Sequence, residues 1–193
     1  VQLVCCEENG YIIGDAVAFH LQDGTINVVG KPACGNWITF CAQKGDYDIE
    51  IKRDERTLES DQQRLTYRFQ IQGPHAYKIL EKLTGEPIPE LKFFGMCELS
   101  LAGYNVTALR HGMADAPGME FWGPYEEREA VRQAVIDAGQ EYNLKLGGGK
   151  TYSTAGPQSG WVGSVMPAIY TGDQMKEFRE WLPANGFEGM LSI

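Results

Sequence analysis

The stretch from Tyr67 to Pro74, YRFQIQGP, constrains the fold more than any other part of the sequence. Tyr67, Phe69 and Ile71 alternate with Arg68, Gln70 and Gln72, the period-2 pattern of a strand with one apolar and one polar face. Gly73-Pro74 ends it, and Pro74 stands where a helix can start, because its missing N–H costs nothing there. Ala76, Ile79, Leu80 and Leu83 then recur at helical spacing, and Gly85 to Pro89 closes the segment. Glu98 to Leu101 and Val106 to Arg110 flank Ala102-Gly103 as a hairpin, with Met119 to Trp122 as a further short strand.

The flanking regions read in the same way. Tyr11 to Leu21 and Ile26 to Val29 flank Asp23-Gly24, a dipeptide suited to a tight hairpin turn. Asn36 to Ala42 reads as a short helix with Asn36 as its N-cap and Trp37, Phe40 and Cys41 on one face. Tyr47 to Ile51 alternates like a strand, and Arg53 to Arg64 is a charged connection. Pro124 opens a helix over Tyr125 to Tyr142, with Glu126 and Glu127 in the first turn and Val131, Ala134, Val135 and Ala138 as its buried stripe. Leu144 to Pro167 is Gly-rich and is expected to be irregular, and a last helix runs from Asp173 to Leu182. This mixed order of hairpins and helices points to the α+β class. The arrangement expected is ferredoxin-like, a split βαβ unit whose antiparallel or mixed sheet carries helices packed on it.

Composition removes several functions. A net charge of −9 leaves no basic surface for phosphates, so nucleic acid is not an expected partner. No segment approaches the roughly 20 apolar residues of a membrane span, and no secretory signal is visible, so the expectation is a cytoplasmic protein. The five cysteines form no C-x-x-C pair and read as reduced thiols packing as small hydrophobes. The three histidines show no ligand spacing, so no metal is expected. The chain opens on Val1 and ends on GMLSI, which reads as an interior fragment. Oligomeric state is not legible.

Chemistry concentrates in RHGMADAPGMEFWGPYE, Arg110 to Glu126, which sets Glu120 among apolar residues just after a Gly/Pro turn. A glutamate and a glutamine pair, each on a strand beside a tight turn, can read the edge of a flat heterocycle. GGGKTY at 147–152 lacks the glycine spacing and the following Ser/Thr of a phosphate loop. Together with SGWVGS at 159–164, these motifs resemble the folate-binding aminomethyltransferase superfamily. Within it they are most similar to the tetrahydrofolate-dependent O-demethylases of vanillate and syringate. The resemblance covers nearly the whole chain.

That resemblance implies a tetrahydrofolate cofactor and a methyl donor that is an aromatic methyl ether. It implies that the Glu120 carboxylate accepts the amino group and ring N–H of the pterin, that Gln70 also contacts it, and that Trp161 stacks on it or on the substrate. Gln72 belongs to the Q-G-P turn. Tyr152 falls on the tyrosine that protonates the departing phenolate, a role suited to a phenol with pKa near ~10. Lys31 is placed to bind the substrate's carboxylate, where the vanillate enzymes have arginine, and Lys150 likewise replaces a frequent arginine. Apart from the resemblance, His111 could serve as a proton carrier, but no partner for it is visible in the sequence and it is read as structural. The implied division is part of a first folate-binding subdomain over 1–65, a ferredoxin-like folate-binding subdomain over 66–146, and a return to the first over 147–193. Three alternatives are an aminomethyltransferase of glycine cleavage, a sulfonium demethylase and a non-catalytic folate-binding protein. The first typically shows RTGYTGEDGFE where this chain has RHGMADAPGME, and the last a K-G-C-Y-x-G-Q-E run that this chain lacks.

Overall fold

The computed structural model describes residues 1–54, 63–112, 115–160, 170–186 and 189–190. The chain divides into two compact units, one of residues 1–52 and 164–193 and the other of residues 53–163. Each is built on its own antiparallel sheet and its own apolar core, so the α+β class holds.

In the first unit, strands β1 (Gln2–Cys6), β2 (Ile12–His20) and β3 (Ile26–Gly30) form a sheet in the order β1-β2-β3. The β2–β3 hairpin turns at Asp23-Gly24 as the sequence suggests. Gly24 takes φ +84°, and the Asp23 carboxylate accepts the Thr25 N–H at 2.9 Å. Helix α1 (Pro32–Lys44) starts before the expected cap at Asn36. Proline in its first turn suits the start of a helix, Lys31 becomes the N-cap, and Asn36 is an interior residue only 1% exposed. Helix α5 (Lys176–Trp181) follows a 3-10 turn at Asp173–Met175. Phe178 meets Trp37 and Phe40 edge-on at 5.2 and 5.3 Å, which ties α5 to α1. Cys5 and Cys34 are buried side by side, and burial first, then the neighbouring Cys5 thiol, pushes the Cys34 thiol up to about 12. Tyr47, Ile49 and Ile51 do not form the expected strand. They are exposed at 65%, 60% and 40%, and among the described residues no strand pairs with them, so their alternation has no ladder to join.

The second unit runs β4 (Thr66–Gln72), α2 (Ala76–Thr84), β5 (Met96–Leu101), β6 (Tyr104–Arg110), β7 (Gly118–Pro124), α3 (Arg128–Gly139) and α4 (Gly149–Gln158). Its sheet has the order β4-β7-β6-β5, and every neighbouring pair is antiparallel. Helix α2 carries the chain from one edge strand to the other. The split β–α–β element is therefore wide: two strands lie between its ends, and β4 and β5 run antiparallel. Tyr67, Ile71, Leu99, Leu101, Val106, Ala108, Met119 and Phe121 turn one sheet face toward Ile79 and Leu80 of α2 and Val131 and Ala138 of α3. Side chains buried as fully as Leu80 and Phe121 each contribute about 1.5–3 kcal/mol relative to exposure. Gly85, at φ +74°, caps α2 in the left-handed conformation. The long helix expected from Tyr125 is α3 with a 3-10 turn at each end. Helix α4 is a correction to the irregular segment expected there: glycines dominate its start, but Gly148 serves as N-cap and the run from Lys150 to Ala155 propagates the helix.

Candidate functional site

Pairing of β4 with β7 sets Arg68 opposite Trp122, Gln70 opposite Glu120 and Gln72 opposite Gly118. Paired residues share a face, so the sheet face turned away from the α2–α3 core carries Arg68, Gln70, Gln72, Glu120 and Trp122. The strands are locked together beside this face. A Cβ on Gly118 would lie 2.4 Å from the Ile71 carbonyl oxygen, and the Gly73 N–H donates to the Pro117 carbonyl at 2.8 Å. Only glycine at 118 allows that approach.

Arg68 Nη1 donates to Glu120 Oε1 at 2.9 Å. Both side chains are largely withdrawn from water, with 7% and 19% exposed. The guanidinium lies over the Trp122 ring, 4.1 Å from its centroid. The other carboxylate oxygen faces His111, whose Nδ1 is 3.7 Å away, too far for a hydrogen bond but close enough for attraction when the imidazole is protonated. Burial is the largest single influence on Glu120 and pushes its pKa up, but His111 and the Arg68 guanidinium together outweigh it. The carboxyl is held below the usual value. At neutral pH it is an ionised acceptor. Gln70 Nε2 donates to the His111 backbone carbonyl at 2.6 Å, so Gln70 and Glu120 meet the same residue, one at its backbone and one at its ring. The His111 ring in turn lies 5.2 Å from Phe94 and 6.1 Å from Phe93.

The expected residues are thus distributed unevenly. Gln70 and Glu120 come together as cross-strand partners. Tyr152 lies on α4, but its side chain falls outside the described part of the structure. Trp161 lies outside the described residues. Lys31 caps α1 in the other unit and is exposed. Lys150 stands in the first turn of α4, with its carbonyl accepting the Ser153 and Thr154 hydroxyls at 3.0 Å each. Sequence reasoning overlooked Arg68, the closest partner of Glu120. Its place on the polar face, two residues before Gln70, is the signal that could have found it. Among the described residues no group of three or more His, Cys, Asp or Glu side chains is arranged to hold a metal ion, and no helix is long and apolar enough to cross a membrane.

Comparison with known proteins agrees on the kind of chain this is. Residues 2–156 match the family described as GCVT N-terminal domain. The whole chain is 42% identical over 193 residues to a syringate O-demethylase of Sphingobium sp., of which it covers 42%. An aminomethyltransferase of Caldanaerobacter subterraneus is 27% identical over 148 residues, 74% of this chain and 37% of that protein. The human mitochondrial dimethylglycine dehydrogenase is 34% identical over 112 residues, 56% of this chain and 12% of that protein. The chain spans less than half the length of each of these relatives.

Proposed function

The chain belongs to the family described as GCVT N-terminal domain, and on that footing we propose that its protein is a tetrahydrofolate-dependent O-demethylase. It moves a methyl group from a methoxylated aromatic acid to tetrahydrofolate. The observation that carries the cofactor is Glu120, an ionised carboxylate 19% exposed, with Arg68 on one oxygen and, on the other, among the described residues only the His111 Nδ1 at the longer distance of 3.7 Å. The edge of a pterin offers an amino group and a ring N–H side by side, and such a carboxylate accepts both. Gln70, its cross-strand partner, commits one of its two amide N–H donors to His111, which fixes the amide and leaves its carbonyl oxygen to accept from a ligand. The residues present fit the group. The choice of an aryl ether as donor rests on the likeness to the syringate enzyme, which extends over the whole chain, against 74% of it for the aminomethyltransferase.

Tetrahydrofolate supplies the nitrogen that accepts the methyl group. The chain's own work is to position and to protonate. A phenolate leaves poorly unless it gains a proton, and Tyr152 is the donor in this reading, its phenol matched in basicity to the departing oxygen. Trp161 stacks on a ring of cofactor or substrate. Lys31 takes the substrate carboxylate as a point charge, where an arginine would grip it with a fork. The proposed compartment is the cytoplasm, whose reducing conditions suit a chain with unpaired thiols.

The test is calorimetry of tetrahydrofolate binding to the full-length protein. Glu120→Ala should weaken binding by about 2–3 kcal/mol, the scale of a charge-assisted pair lost from a partly dry site. Unchanged affinity removes Glu120 from the site. Incubation of the wild-type protein with syringate or vanillate and tetrahydrofolate, followed by detection of the methylated folate, tests the donor; no transfer from the aryl ether, with methylene transfer from an aminomethyl donor or methyl transfer from a sulfonium donor, replaces this reading with one of its alternatives.

A further inference from the structure

We propose that Phe93 and Phe94 form a stacking wall for the pterin ring whose edge Glu120 holds, a step that rests on the folate reading above. Three observations converge on this pair. The first is backbone conformation. Lys92 to Gly95 is a tight turn closed by the Gly95 N–H donating to the Lys92 carbonyl at 2.8 Å. Phe94 occupies its third position with φ +63°, in the left-handed region that turns reserve for Gly or Asn and that a bulky side chain strongly disfavours.

The second is exposure. Burial in the core does not compensate this conformation: Phe94 is only half-buried, and Phe93 is 66% exposed. The two rings meet edge-on with centroids 4.7 Å apart and hold each other upright. A strained turn that presents two phenyl rings to solvent has a use for them there.

The third is placement. The turn is clamped to the end of β6, since the Phe94 N–H donates to the Arg110 carbonyl at 3.0 Å and the Arg110 N–H donates to the Gly95 carbonyl at 2.9 Å. The Arg110 guanidinium adds a bond to the Leu91 carbonyl. The next residue is His111. Its ring contacts both phenyls, its carbonyl is held by Gln70 and its Nδ1 faces Glu120. The wall is therefore registered to the residue that both edge-reading side chains touch. A flat heterocycle needs partners of two kinds, acceptors for its edge and an aromatic surface for its face, and the second unit offers both around His111.

The test compares the full-length wild-type protein with Phe93→Ala, Phe94→Gly and, as the control for the folate reading, Glu120→Ala. Binding of tetrahydrofolate, of pterin alone and of p-aminobenzoylglutamate is measured by calorimetry, and thermal unfolding is measured without ligand. Each phenylalanine variant should bind tetrahydrofolate and pterin about tenfold more weakly, the scale of one lost stacking surface, with no change for p-aminobenzoylglutamate. Phe94→Gly should also unfold at a higher temperature than wild type, because glycine adopts φ +63° without strain. If Glu120→Ala weakens binding and neither phenylalanine variant does, the wall is wrong and the folate reading stands. If the wild type binds no tetrahydrofolate, both fall. A lower unfolding temperature for Phe94→Gly shows the ring to be a packing element and overturns the assignment of its strain to ligand binding.

Discussion

Arg68 and Glu120 are diagonal neighbours across the β4–β7 ladder, two residues apart in register, and their side chains meet at 2.9 Å on the face away from the core. Each has a second partner on the same face: the Trp122 ring lies under the guanidinium, and His111 lies beside the carboxylate. Taking two charges out of water costs several kcal/mol per ion, so the pair as a whole adds little to stability. Breaking it is a different matter, because the remaining charge is left buried alone.

Removal of Arg68 should therefore be more harmful than removal of the pair. Arg68→Met is expected to lower the free energy of unfolding by about 3 kcal/mol. Adding Glu120→Gln to it should restore part of that loss. Urea denaturation of the two single variants and the double variant closes the cycle. Additive single losses would mean that the two side chains do not act as a pair.

The same contact sets a pH dependence whose sign follows from the direction of the shift. The folded-state pKa of Glu120 lies below its ordinary 4.5. Its ionisation therefore contributes stability that is complete above about pH 4.5 and is lost as the pH falls through the lowered folded value. The stability of the wild type relative to Glu120→Gln should be greatest near neutral pH and should shrink on acidification below about pH 4.5. Denaturation curves at a series of pH values give this difference directly. A difference that stays constant to the acid end would show that the carboxyl has the same pKa folded and unfolded.

Gly118 and Gly103 separate two reasons for glycine. Gly103 has φ +88° and nothing near the position of a Cβ, so Gly103→Ala should cost only the left-handed backbone term, about 1–2 kcal/mol. Gly118 has ordinary φ but no room: an added Cβ falls 2.4 Å from the Ile71 oxygen and 2.9 Å from the Gln72 Cβ. Gly118→Ala must push β7 from β4 and should cost about 2–4 kcal/mol, and it should also weaken ligand binding, since Glu120 is two residues away. Equal losses in thermal unfolding for the two variants, with unchanged affinity in both, would contradict this.

What was legible in the sequence follows local physics. The β4 strand, its Gly-Pro exit and the α2 stripe were readable because each depends on periodicity within a few residues. Asn36 misled because a good cap residue lies inside α1, where Pro32 had already started the helix. Tyr47 to Ile51 misled because alternation promises a strand only where a partner edge exists. Helix α4 was hidden by the glycines at 147–149. The Gln70–Glu120 pairing was suggested by motif, but Arg68 as the partner of Glu120 depends on register across 52 residues, which no local pattern encodes. Phe94 was invisible for a related reason, since nothing in LKFFG announces a left-handed phenylalanine.

The last prediction concerns the proton. In the proposed reaction an aryl ether loses its methyl group, and the oxygen left behind must be neutralised as the bond breaks. Tyr152→Phe removes one hydroxyl and keeps the ring, so it separates proton donation from packing. General acid catalysis typically contributes about 10²–10⁴-fold, and turnover of an aryl methyl ether by the full-length protein should fall on that order. Tetrahydrofolate affinity should change far less, because the variant keeps the aromatic ring and loses only the hydroxyl. A substrate whose leaving phenol is made more acidic by an electron-withdrawing group needs the proton less, so the deficit of Tyr152→Phe should narrow for such a substrate. A deficit that stays the same across leaving groups would assign Tyr152 to positioning, and near wild-type turnover would move the proton source to solvent or another side chain.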